Sequence, residues 1–278
     1  MEQYAKAKRI CIILPNTRTF LKELCGKLNP KNILEVGTAI GYSASTMLFS
    51  CDANITCCEA SAPNIVLAKQ NFERLHLMNR VNIVEGDCLK TLPILNEIIN
   101  STNVLKAQEI KNIVDNKTKV ADDKNDCTNS MSSQTDYKNS MSSQKDAQKG
   151  DLKNFFIQTV KESFNEQKCP QTKECLTNLQ TLQGERFDLI FLDGPKGFYP
   201  DILKLLLPLL AKNGVLVTDN VSFRGMVSGK KQITEPRFEK TVKALHQFID
   251  DLKNNKDLNV EIKEIGDGLA IASWKNNL

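Results

Sequence analysis

Short apolar runs alternate with amphipathic stretches through the first hundred residues. Ile33-Leu-Glu-Val36, Ile55-Thr-Cys-Cys58 and Val81-Asn-Ile-Val84 have the length and composition of buried strands. Within 16–28, Phe20, Leu21, Leu24 and Leu28 recur at helical spacing, and Pro30 ends that pattern. Residues 43–49 and 62–75 read as the next helices, and 89–99 as a further helical stretch. The alternation resumes with a strand over 187–192, a helix over 199–210, a strand over 215–218 and a helix over 236–252. Two last strands, over 260–264 and 269–274, flank Gly266-Asp-Gly268, which is a hairpin signal. Strands alternating with helices imply βαβ units. The expected fold class is α/β, a doubly wound, seven-stranded and mostly parallel sheet ending in a C-terminal antiparallel hairpin.

Between the third and fourth strands the pattern lapses. Over about 100–182 Asn, Lys, Asp, Ser and Gln dominate, and Asn129-Ser-Met-Ser-Ser-Gln134 returns as Asn139-Ser-Met-Ser-Ser-Gln144. So few apolar groups cannot offset the entropy of ordering, and the stretch reads as a disordered, low-complexity insertion. A weakly amphipathic patch over 152–164 is its one candidate helix. Twelve lysines against eleven acids exclude a polybasic arm. The expected organisation is a single domain over 1–278, interrupted there.

With 41% hydrophobic and 25% charged residues, the chain can bury a substantial core. It has no apolar run long enough to span a bilayer and no signal-peptide pattern at its start, so a cytoplasmic protein away from membranes is expected. Its nine cysteines form no CxxC pair and its two histidines, His76 and His246, stand alone, which argues for reduced thiols and against a zinc site. The net charge of +4 is matched by one segment, 221–244, where six cations face two acids. Taken alone such a run is an ordinary solvated helix face; beside a substrate rim it could meet phosphates.

Chemistry gathers where apolar runs end. Asp193-Gly-Pro-Lys196 follows one strand and Asp219-Asn220 the next. In α/β sheets ligands bind outside the carboxyl ends of the strands. Two carboxylates, an amide and a lysine would converge there, and the three oxygen donors suit a hard divalent cation such as Mg²⁺. The turn Gly37-Thr-Ala-Ile-Gly41 allows close backbone approach but lacks the GxGxxG of a dinucleotide site, which argues against a nicotinamide dehydrogenase. Glu59 and Asp87 end the second and third strands. Each alone could be a solvated loop acid; together with the glycine turn they outline a pocket for ribose and adenine.

These strings resemble the metal-dependent class I S-adenosylmethionine O-methyltransferases, of the catechol and caffeoyl-CoA type. ILEVGTAIGYSA over 33–44 is similar to the family's first motif, and FDLIFLDGPKGFYPD over 187–201 and GVLVTDNVSFRGMV over 214–227 to its lysine and metal motifs. IGDGLAIA over 265–272 most resembles the bacterial branch that methylates 5-hydroxyuridine in tRNA. The resemblance implies a Rossmann-like methyltransferase fold, with Asp193, Asp219 and Asn220 holding Mg²⁺ or another divalent cation and Lys196 as the catalytic base. It implies that Glu59 binds the ribose of S-adenosylmethionine, that Gly37 and Ser43 line its methionine end, and that Asp87 lies near the adenine. Cys88 and Asp193 complete the expected cofactor contacts. Two departures stand out: Asp193-Gly-Pro-Lys196 replaces the frequent Asp-Ala-x-Lys, and Ser222-Phe223 replaces an apolar pair. The implied reaction converts 5-hydroxyuridine at the tRNA wobble position to 5-methoxyuridine. The alternatives are O-methylation of a small catechol-like or phenolic substrate, and a non-catalytic RNA-binding relic. A homodimer is consistent with the resemblance.

Overall fold

The computed structural model describes residues 1–100, 185–233 and 235–275. Apart from Asn100, the expected insertion and the helix expected over 152–164 lie outside them. The sheet belongs to the unit formed by Met1–Ile99 and Cys175–Leu278.

The described elements run α1 (Glu2–Lys8), α2 (Pro15–Leu28), β1 (Asn32–Val36), α3 (Tyr42–Leu48), β2 (Asn54–Glu59), α4 (Ala62–Arg74), β3 (Val81–Glu85) and α5 (88–100). After 184 come β4 (Phe187–Leu192), α6 (Tyr199–Leu206), β5 (Leu210–Thr218), α7 (Glu239–Asn254), β6 (Leu258–Lys263) and β7 (Leu269–Trp274). Seven strands form one sheet in the order β3-β2-β1-β4-β5-β7-β6. The pairs among β1 to β5 are parallel, while β7 runs antiparallel to both β5 and β6. The expected fold class and closing hairpin are both present.

Strand order reverses between β1 and β4. The chain moves outward from β1 through β2 to β3, then returns to lay β4 on the other side of β1. A crevice opens at such a reversal because the flanking connections leave in opposite directions.

One face of the sheet presents Ile33, Ile55, Cys57, Ile83, Leu189, Phe191 and Val217 to a core shared with Leu21 and Cys25 of α2, Met47 and Leu48 of α3, and Phe72 of α4. On the other side α6 and α7 pack together, with Tyr199 edge-on to Phe248 at 5.3 Å. Helix α7 buries Val242, Leu245, Phe248 and Leu252, one apolar stripe at helical period.

Boundaries shift where backbone chemistry intervenes. The helix expected over 199–210 ends at Leu206 and tightens into a 3₁₀ turn over Leu207–Leu209, because Pro208 has no N–H to donate. Strand β5 begins at Leu210, ahead of the expected 215, through an irregularity in its pairing with β4. Gly214 sits there because a Cβ would lie 2.8 Å from the Phe187 carbonyl oxygen. Helix α1 was not expected from the sequence; of its seven residues only Ala5 is buried, so its apolar pattern is weak.

Candidate active site

Register places the functional strings in one row. Val36 is level with Cys58 on one side and Leu192 on the other, and Leu192 is level with Thr218. The residues that follow are Gly37, Glu59, Asp193 and Asp219. Backbone bonds bind the row together: Gly37 N–H donates to Cys58 O, Asp193 N–H to Val36 O and Asp219 N–H to Leu192 O, each at 2.9 Å. Gly37 has φ +96°, and a Cβ there would lie 2.2 Å from the Asp193 carbonyl oxygen. Glycine is therefore required at the point where the β1 turn closes on β4.

Glu59 is held by the chain itself. One carboxylate oxygen accepts the Ala39 N–H at 2.7 Å and the other the Ser61 N–H at 2.8 Å. Ala39 reaches it from the left-handed region, at φ +48°. A carboxylate has about four acceptor positions, so both oxygens retain capacity for a ligand's hydroxyls. Ser43 is buried on α3. Asp87 is exposed and caps α5: its Oδ1 accepts the Leu89 N–H at 3.0 Å and its carbonyl the Lys90 and Thr91 N–H groups. Cys88 follows it, buried, with its thiol pushed up to about 11 by burial and then by Asp87.

The structure adds Glu35, which lay inside a quoted motif but received no role from the sequence. Its carboxyl is fully buried on β1, and Oε1 has no hydrogen-bond partner. Burial pushes its pKa up to about 7, with the Asp193 charge acting in the same direction. The hydroxyls of Ser43 and Thr38 and the Cys57 thiol, whose Sγ is 3.6 Å from Oε2, pull it back down. An acid at an inward position of a buried apolar strand was the available signal, since such a group is costly unless it serves a purpose.

The metal-type half is charged and compact. Lys196 Nζ donates to Asp193 Oδ1 at 3.1 Å, with the two side chains 22% and 20% exposed. Burial raises the Asp193 pKa against the pull of Lys196. Asp219 is 1% exposed, and its pKa is pushed up to about 7, first by burial and then by Asp193. Its Oδ1 accepts the Asn220 N–H at 2.7 Å, and Asn220 turns through the left-handed region at φ +59°. Behind them Tyr199, fully buried, donates its hydroxyl to the Asp219 carbonyl at 3.3 Å. Among the described residues no three His, Cys, Asp or Glu side chains could hold a metal ion. The expected set instead has two carboxylates and one amide, whose mutual repulsion a hard cation would relieve.

The segment after Asn220 is anchored by the β6–β7 turn. Asp267 accepts the Ser222 N–H through its carbonyl and the Arg224 N–H through Oδ1, at 2.9 and 2.7 Å. Arg224, Lys230, Lys231, Arg237, Lys240 and Lys243 are all exposed. Lys230 pairs with Glu264 and Arg237 with Glu235, each at 2.6 Å, so part of the cluster's charge is met locally. Arg224 and Arg237 lie over the Phe238 ring at 5.6 and 4.9 Å, and Lys240 over Phe198 at 5.5 Å.

The matching family model is that described as O-methyltransferase, over residues 2–108 and 141–275. Solved structures share the fold. A Staphylococcus aureus protein classed with the caffeoyl-CoA O-methyltransferases is 21% identical, with 99% of this chain and 90% of that one covered and a TM-score of 0.64. An O-methyltransferase of Bacillus cereus, solved in complex with SAH, is 19% identical over 98% and 88% of the two chains, with a TM-score of 0.58. TomG of Streptomyces achromogenes, involved in tomaymycin synthesis and solved with SAM, is 16% identical over 99% and 87%, with a TM-score of 0.59. Among the described residues no helix is long and apolar enough to cross a membrane. The chain belongs to the O-methyltransferase family and is an S-adenosylmethionine-dependent O-methyltransferase.

Proposed function

We propose that this enzyme methylates the 5-hydroxyl of a wobble 5-hydroxyuridine in tRNA, using a divalent cation held by Asp193, Asp219 and Asn220. The observation that carries the substrate class is the segment directly after Asn220. Six exposed cations there, three of them lying on phenylalanine rings, border the metal-type half of the rim. Cations supply most nucleic-acid affinity through phosphates, and aromatic faces add base stacking. The position of 5-hydroxyuridine O4 next to its 5-hydroxyl offers two vicinal oxygens to one cation.

S-adenosylmethionine supplies an electrophilic methyl group on a positively charged sulfur. Glu59 takes the ribose hydroxyls with the acceptor capacity its two backbone bonds leave free. Gly37 and Ser43 would border the methionine end, and the Glu35 carboxyl behind the glycine turn would, when ionised, give negative potential that suits a sulfonium. Asp87 and Cys88 would border the adenine. Bound Mg²⁺ would lower the pKa of an acceptor hydroxyl and fix its orientation. Asp193 Oδ1 is the hydrogen-bond partner of Lys196, so a cation held there would share that carboxylate with the amine. Lys196 would be the group placed to accept the hydroxyl proton as the methyl group passes from sulfur to oxygen, the sulfur keeping the bonding pair. Holding donor and acceptor in line supplies much of the acceleration.

The test is radiolabelled methyl transfer to hydroxylated tRNA and to a panel of catechols, with Mg²⁺ and with EDTA. The reading expects tRNA labelling that EDTA abolishes, and loss of 5-methoxyuridine from tRNA when the gene is deleted. Efficient labelling of catechols with none of tRNA would assign the enzyme to small phenols instead.

A further inference from the structure

Away from the strand-end rim, two thiols meet where α2 passes the turn between α3 and β2. Cys25, near the end of α2, is fully buried in the core, and Cys51 packs against that core from a partly exposed position. Their chain neighbours are in near contact: a Cβ on Gly26 would lie 3.9 Å from the Ser50 carbonyl oxygen. The Cys51 thiol donates to the Met47 carbonyl at 3.3 Å, and the Cys25 thiol is pushed up by Cys51 first and by burial second. Arg80 spans the turn from the other side. Its guanidinium donates to the carbonyls of Ala53, Leu48 and Cys51 at 2.8, 3.2 and 2.6 Å.

We propose that Cys25 and Cys51 are a hydroperoxide-reactive thiol pair, in which Cys51 is oxidised first and Cys25 closes an intramolecular disulfide.

The chemistry follows from the placement. The thiolate is the nucleophile of a cysteine, and it is favoured by hydrogen-bond donors and nearby cations. Cys51 has both: the Cys25 bond first, then the Arg80 charge and the Ala53 backbone N–H lower its pKa, against burial and Asp52. The thiolate sulfur attacks one oxygen of the hydroperoxide. The O–O bond breaks, the second oxygen leaves as hydroxide or alkoxide, and Cys51 becomes a sulfenic acid. Cys25 sulfur then attacks the sulfenic sulfur, the S–S bond forms, and the sulfenic oxygen departs as water with the Cys25 proton. Two thiols lose two electrons and two protons, and one hydroperoxide is reduced.

Of the other described cysteines, Cys11 is exposed and Cys57, Cys58 and Cys88 are buried. Burial pushes the Cys57 and Cys88 thiols up, and Cys51 and burial do the same to Cys25, so among these buried thiols only Cys25 lies beside a partly exposed partner that can react first. Cys57 and Cys58 are adjacent on β2 and point to opposite faces of the sheet, so they cannot meet as Cys25 and Cys51 do. The new bond would tie α2 to the turn that follows α3, the helix carrying Ser43. This reading is independent of which substrate is methylated.

The test uses the full chain, reduced and then treated with a small excess of hydrogen peroxide, alkylated without reductant, digested and analysed by mass spectrometry. The expected product is a peptide pair joining Cys25 to Cys51, two hydrogens lighter and restored by dithiothreitol. Cys51→Ser, a mild change at a partly exposed site, should abolish the link and the early reaction with a sulfenic-acid probe. Cys25→Ser should leave Cys51 probe-reactive with no link to a second cysteine. Closing the loop should also raise the thermal midpoint of the wild-type protein by several degrees, and leave that of Cys51→Ser unchanged. Oxidation at other cysteines while Cys25 and Cys51 stay reduced would overturn the proposal. So would oxidation of Cys51 beyond the sulfenic acid with no link to Cys25, and the wild-type digest alone decides between these outcomes.

Discussion

Glu59 and Asp219 both stand at the carboxyl ends of parallel strands, yet the fold treats their charges in opposite ways. Glu59 has an N–H from the turn after β1 on one oxygen and an N–H from the start of α4 on the other, both at bonding distances under 3 Å. Its position is set before any ligand arrives. Asp219 is almost wholly buried, receives one adjacent N–H, and faces a second carboxyl at Asp193. Burying like charges together is costly, and Lys196, paired with Asp193, offsets it at Asp219 only behind the larger effects of burial and Asp193. One half of the rim thus holds its carboxylate in place with acceptor capacity to spare. The other half stores electrostatic strain that an added cation would relieve, as expected where function outweighs stability.

The strongest way to break this contrast is to neutralise each half in turn. Asp219→Asn should lower methyl transfer by about a thousandfold or more, yet leave the metal-free fold unharmed or stabilised near neutral pH, because a poorly compensated buried charge disappears. Lys196→Ala should lower turnover by a factor on the order of 10² to 10⁴ while cofactor binding persists. Steady-state rates and thermal midpoints measured on the same preparations check both. An active Asp219→Asn enzyme would remove the cation from the mechanism. Gly37→Ala probes the seam between the halves. Its Cβ meets the Asp193 backbone at 2.2 Å, at a φ of +96° that disfavours any side chain, so a loss of about 3 kcal/mol is expected in denaturant unfolding.

Much of this contrast could be read in the sequence, though not all of it. The strand ends were legible because short, mostly apolar runs followed by Gly, Glu or Asp leave few choices for where a ligand can sit. Ile33-Leu-Glu-Val36 and Phe187–Leu192 therefore positioned Gly37 and Asp193 correctly on one edge. Pairing is non-local, however, so nothing in the sequence showed that the Gly37 turn would close against the Asp193 backbone. Glu35 escaped for a related reason: an alternating pattern assigns its face, but only packing shows that Oε1 is left without a partner. The basic run after Asn220 was legible as charge. Its pairing with Glu264 depends on strand β6 coming alongside, which charge counting along one segment cannot include.

Glu59→Gln sharpens the comparison at smaller scale. The amide keeps one acceptor oxygen and loses the charge that strengthens two backbone bonds and any ribose bonds. Cofactor affinity should fall by roughly 10- to 100-fold, with kcat at saturating cofactor changing far less, since charge-assisted hydrogen bonds contribute about 1.5–3 kcal/mol. Titration calorimetry with S-adenosylhomocysteine measures it. A large fall in kcat with affinity unchanged would move Glu59 from binding to chemistry.

The smallest expected effect is a pH slope. Glu35 and Asp219 both titrate near 7 in the fold, against ordinary values of 4.5 and 3.8. Between those limits the folded state therefore holds more protons than the unfolded chain. Stability changes with pH as the unfolded minus the folded proton count, so these two groups make it fall as pH rises from about 4 to about 7 and then level off. The thermal midpoint of metal-free protein should decline by a few degrees across that window, and Asp219→Asn should flatten the decline by removing one contributor. Saturating Mg²⁺ at about pH 8 should restore the lost degrees in the wild type but not in Asp219→Asn, because ion binding to the native state stabilises it only where the ligand remains. Glu59, held by backbone donors rather than by a repelling neighbour, supplies the control. A Glu59→Gln protein should keep the wild-type slope and the wild-type response to Mg²⁺, and if it lost either, the two halves of the rim would be one electrostatic unit rather than two.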